Sequence, residues 1–161
     1  MALGDNTLQA ARGNSQRGRN PYMVQTELNF ATALTDKGSA LAASDVIPVI
    51  AVPKGNMVLN AGIEVDTASD GSTFTVDLGM VDADVFVDGF DATSAAAVVA
   101  QNPAAYQPVM AVADDNIDLT IATLSGGAVS TGKLRIWAVM MDCSDMGQDM
   151  TANEVDRDYL A

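Results

Sequence analysis

The stretch Met57–Met80, MVLNAGIEVDTASDGSTFTVDLGM, decides how the rest of this chain is read. In Met57–Thr67, Leu59, Ala61, Ile63 and Val65 stand opposite Asn60, Glu64 and Asp66. In Thr73–Met80, Phe74, Val76, Leu78 and Met80 alternate with Thr73, Thr75, Asp77 and Gly79. A period of two sends successive side chains to opposite faces, the pattern of a strand with one buried face. Between the runs lies ASDGS (Ala68–Ser72), rich in turn formers, so the two strands are expected to pair as a hairpin.

The same reading extends outward. Glu27–Leu34 alternates Leu28, Phe30, Thr32 and Leu34 with Glu27, Asn29, Ala31 and Ala33, and is expected to be a strand. Val46–Val52 is continuously apolar, as for a strand covered on both faces, with Pro48 at a ladder gap or an edge. Ile117–Leu124 and Lys133–Met141, joined by SGGAVSTG (Ser125–Gly132), read as a second hairpin. Its second strand is apolar on both sides, Trp137, Val139 and Met141 against Ile136, Ala138 and Met140, as for a central strand or a subunit interface. Val85–Asp88 and Tyr106–Val112 are weaker strands, and Thr93–Gln101 reads as a short Ala-rich helix stopped by Pro103. Seven or eight short strands imply an all-β fold: a single β-sandwich or jelly-roll-like domain over residues 26–143.

The flanks differ in composition. Residues 1–25 carry Arg12, Arg17 and Arg19 against Asp5 alone, a net charge of +2 against −15 for the remainder. With little to bury, this segment cannot offset the entropy of ordering itself and reads as an extended arm, with Pro21 and Tyr22 fixing its exit from the domain. Arginine pairs bidentately with carboxylates, so the arm is expected to anchor on an acidic or polar protein surface. Residues 144–161 form an acidic tail in which Val155, Tyr159 and Leu160 offer a helix or a docked strand.

Exclusions narrow the function. The 161 residues hold no histidine and one cysteine, Cys143, which removes the Ser–His–Asp triad, histidine-ligated metals, intrachain disulfides and four-cysteine zinc sites. Neither a nucleophile elbow nor a phosphate-binding glycine loop is present, and the lone Trp137 sits within a strand, where packing explains it better than sugar stacking. An enzyme and a cofactor are therefore not expected. VDADVFVDGFD (Val81–Asp91) offers Asp82, Asp84 and Asp88 as oxygen ligands for calcium, but it departs from the twelve-residue calcium loop, and strand-end acids explain it better. A net charge of −13 opposes nucleic acid, and no apolar run reaches the roughly 20 residues that span a bilayer.

One stretch adds a family. Val46–Ala92, about a third of the chain, resembles a segment of tailed-bacteriophage head-decoration (cement) proteins, including those of marine cyanophages. The similar parts are the strand ending in VPKG (Val52–Gly55), the strand AGIEVDT (Ala61–Thr67) and DLGMVDADVFVDG (Asp77–Gly89). The resemblance implies a non-enzymatic β-sandwich protein, self-associating as a homotrimer, made in the host cytoplasm. Its partner would be the major capsid protein at the outer surface of the capsid. The competing expectations are a tail- or fibre-associated β-domain contacting a host receptor or glycan, and a calcium-dependent adhesin.

Overall fold

A computed structural model describes residues 20–94 and 108–143, together with the backbone of residues 99–100. Its elements in chain order are β1 (Tyr22–Asn29), α1 (Phe30–Lys37), β2 (Val46–Val52), β3 (Asn56–Thr67), β4 (Thr73–Gly79), β5 (Val87–Asp91), β6 (Val99–Ala100), β7 (Val109–Met110), β8 (Asp115–Ser125) and β9 (Lys133–Asp142). They build two sheets, ordered β1-β9-β3-β6 with β7 also on β3, and β2-β8-β4-β5. The pairs nest: β1 with β9, β2 with β8, β3 with β6 and β7, β4 with β5, all antiparallel. This is the winding of a long hairpin rolled into two facing sheets, the jelly roll, and the all-β sandwich expectation holds.

Between the sheets the alternating faces meet as expected. Ile63, Val65, Leu134 and Ile136 from one side face Phe74, Val76, Leu78, Ile117, Leu119 and Ile121 from the other, all essentially inaccessible to solvent. Leu59 departs from its expected face. The β3–β9 register slips between Val58 and Asn60, so Val58 turns into the core instead.

Both expected hairpins are corrected. β3 pairs with β9, and β4 with β8, so the connections 68–72 and 126–132 each carry the chain from one sheet to the other. Periodicity identifies a strand and its buried face but not its partner, and here the two alternative pairings bury the same side chains. The two crossings are stapled together: the Asp70 carboxylate accepts from Ser130 N at 2.9 Å, Ser130 Oγ at 2.6 Å and Thr131 N at 3.1 Å.

Glu27–Leu34 is corrected too. The strand runs from Tyr22 to Asn29, taking in residues assigned to the arm, and a helix replaces its second half. Asn29 caps that helix through its side chain, which accepts from Ala31 N at 3.0 Å. Gly38, at φ 70°, closes it with its N–H shared between the Leu34 and Thr35 carbonyls. Phe30 then enters the core edge-on to Phe74, ring centroids 4.8 Å apart. Val46–Val52 is a strand, but an edge one covered on a single face, since Val46 is 57% exposed while Ile50 and Val52 are buried. Its register shifts between Pro48 and Ile50, the gap expected at the proline. Of the weaker strands, the one expected at Val85–Asp88 is displaced to Val87–Asp91, and the one expected at Tyr106–Val112 is a strand only at Val109–Met110 among the described residues, with residues 106–107 outside them. Of the helix expected over Thr93–Gln101, Val99–Ala100 are strand, while residues 95–98 and 101 lie outside the described residues, as does the acidic tail.

Candidate interaction surfaces

The arm's exit is firmly built. Tyr22 opens β1 opposite Met140, and its hydroxyl donates to Asn56 Oδ1 at 2.8 Å. Asn56, only 6% exposed, is itself fixed: its Nδ2 donates to the Pro53 carbonyl at 3.2 Å and its own carbonyl accepts from Ala111 N at 2.9 Å. Pro21 lies exposed just before the strand. Thus Tyr22 is part of the domain rather than of the arm, while Arg12, Arg17 and Arg19 lie outside the described residues.

The acidic bend follows β4. Asp82 and Asp84 stand in the β4–β5 connection and Asp88 on β5, with Asp77 Oδ1 accepting from Gly89 N at 2.7 Å. Repulsion from Asp82 above all raises the Asp84 pKa, with burial, Asp88 and Asp77 adding to it. Asp91 is occupied as a turn cap. It accepts from Thr93 N at 2.8 Å and Thr93 Oγ1 at 2.6 Å, and these hydrogen bonds lower its pKa. Among the described residues, no group of three or more acids is arranged to hold a metal ion.

Charge divides the molecule by sheet. No Lys or Arg lies on β2, β4, β5 or β8, whereas Asp77, Asp88, Asp91, Asp115 and Asp118 do. The Asp118 pKa is raised, first by burial and then by Asp115. The other sheet is balanced at one end: Lys133 meets Glu27 at 3.0 Å, and Arg135 meets Glu64 at 2.8 Å with Asp66 at 3.8 Å. Toward its other end the outer face turns apolar, through Met23 (64% exposed), Val139, Met57, Met110 and Met141. So β9 is a central strand, between β1 and β3, and its second apolar face is also an open surface among the described residues. Trp137 lies half-buried on that outer face, directly across from Gly62, rather than in the core.

Sequence reading missed a groove of about 720 Å3 between β1, α1 and β2. Leu28, Ala33 and Val49 give it an apolar lining, and Glu27, Asp36, Asp45 and Lys37 a charged one. Lys37 bonds to Asp45, which also accepts from Ala42 N at 2.7 Å, and the Asp45 pKa is lowered, chiefly by that lysine. The signal was available: Asn29 and Gly38 bracket Phe30, Ala33, Leu34 and Lys37 at helical spacing.

No family model and no curated protein matches the chain. Solved structures do. A chain in the capsid asymmetric unit of cyanophage Pam1 is similar at 14% identity and a TM-score of 0.55, covering 76% of this chain and 85% of that one. A chain in the capsid of Ralstonia phage GP4 is similar at 15% identity and a TM-score of 0.55, covering 76% of this chain and 84% of that one. At such identities the likeness is one of fold.

Proposed function

We propose that this chain is a virion structural protein that binds the outer surface of an assembled phage capsid and stabilises it, without turning over a substrate. The observation that carries the reading is the fold it shares with chains of two phage capsids. Charge supports the outward placement, because a protein at −13 is repelled by densely packed DNA and favoured on the far side of the shell. The apolar outer face around Met23, Val139 and Met141 offers a seat on the major capsid protein, and the arginines of the arm offer a clamp. A homotrimer would multiply weak contacts of this kind through effective concentration. Whatever binds only the assembled form shifts stability toward it.

Undecorated shells supply the test. Full-length chain is expected to co-sediment with them and to raise their melting temperature, while Met23→Glu weakens both effects and leaves the chain's own melting unchanged. Absence of co-sedimentation refutes the reading, and binding to host cells but not to shells transfers the protein to the receptor-contacting class.

A further inference from the structure

We infer that the groove between α1, β1 and β2 receives the arginine-bearing segment, residues 1–19, of a neighbouring copy of this chain. The inference rests on reading that segment as an anchor, and names what it grips. Both long walls of the groove are sheet edges. β1 pairs only with β9 and β2 only with β8, so each leaves one row of backbone N–H and C=O groups without a strand partner among the described residues. Such rows are templates for an added extended segment. Between them run the half-buried apolar side chains of Leu28, Ala33, Ile47 and Val49.

Charge selects the occupant. Three carboxylates, Glu27, Asp36 and Asp45, face the groove with a single ammonium, Lys37, which Asp45 already holds. Glu27 bonds to Lys133, leaving Asp36 with no ion-pair partner among the described residues. Residues 1–19 carry three arginines and one aspartate, the opposite sign, and no other stretch of the chain concentrates arginine. Direction points the segment toward another copy. β1 runs from Tyr22 to Asn29, and the groove is lined by its last four residues. The preceding chain therefore leaves from the end away from the groove, where Tyr22 is pinned to Asn56. Extended, 19 residues span up to about 60 Å, enough to reach an adjacent copy.

The experiment uses full-length chains carrying Cys143→Ser and one new thiol each. A Ser15→Cys chain is mixed with a Thr32→Cys chain, where Thr32 is exposed on the groove wall, or with an Ala83→Cys chain, where Ala83 is exposed in the competing acidic bend. Under mild oxidation the mixed disulfide is expected to form about tenfold more with Thr32→Cys than with Ala83→Cys, a preference of about 1.4 kcal/mol. It is expected to fall in high salt and on adding Asp36→Lys. Equal yields, or a preference for Ala83→Cys, overturn the inference. So does a Ser15→Cys/Thr32→Cys double variant that closes within one chain at a yield independent of concentration. No shells are present, so lost crosslinking with intact shell binding refutes this inference alone. Crosslinking without shell binding refutes the capsid reading alone.

Discussion

Asp70 ties the two sheet-to-sheet crossings together through its carboxylate. Three donors from Ser130 and Thr131 stabilise its charged form and hold its pKa down to about 2, from an ordinary 3.8. A carboxylate whose pKa falls on folding contributes stability that is complete above its unfolded value and disappears as the pH drops through the folded one. The Asp70 contribution is therefore full above about pH 4 and lost toward pH 2. Asp70→Asn is expected to lower the melting temperature at neutral pH and to flatten the pH profile over that window, as acid titration followed by circular dichroism would read. Gly79 is a second critical residue, for steric reasons. A Cβ there would lie 1.8 Å from the Asp82 carbonyl oxygen, which belongs to the backbone of the bend and cannot swing aside. Gly79→Ala is expected to destabilise by about 3 kcal/mol, the upper end for overpacking, in denaturant melts.

At the scale of elements, the break from β1 into α1 shapes the groove. Continued as a strand, Glu27–Leu34 would send Phe30, Thr32 and Leu34 to one face; as a helix it sends Phe30 into the core and Ala33 and Leu34 partly against it. Local capping tips the choice, since Asn29 satisfies an otherwise unpaired N–H and Gly38 adopts the left-handed turn that ends the helix. Asn29→Ala is expected to cost about 1 kcal/mol in equilibrium unfolding, and Gly38→Ala a similar amount. If the groove is a docking site, both also reduce the crosslinking described above. On β3 a single slipped residue at Leu59 exchanges the side chain facing the core for its neighbour, so the alternation readable in the sequence holds only piecewise.

For the whole molecule, the nested pairing joins the earliest described strand to the last and the second to the last but one, and among the described strands only β4 and β5 pair as direct neighbours along the chain. Loop-closure entropy must be met before those contacts form, which makes this a slow-folding topology. Among the described residues the excess of acid lies mainly on one sheet and the loops around it, and the resulting self-repulsion opposes the compact state. Raising ionic strength from about 0.01 to 0.15 M, which shortens the screening length from about 30 to 8 Å, is expected to raise the melting temperature in calorimetry. A fall would mean that the ion pairs at Lys133 and Arg135 outweigh the repulsion.

Sequence alone determined the all-β class, most strand positions and most of the faces that turn inward, because alternation is a local consequence of having one side in water and one in the core. It also determined the net charge, its uneven division along the chain, and the lack of histidine chemistry. Tertiary structure decided which strands pair, that β3–β4 and β8–β9 cross between sheets, that Phe30 begins a helix, and that two sheet edges and a helix enclose a groove. The reason is physical. Side-chain burial is nearly the same for either pairing scheme, so the choice rests on how both sheets close over one core and on contacts such as Asp70 with Ser130 and Thr131, which join residues 60 and 61 positions apart.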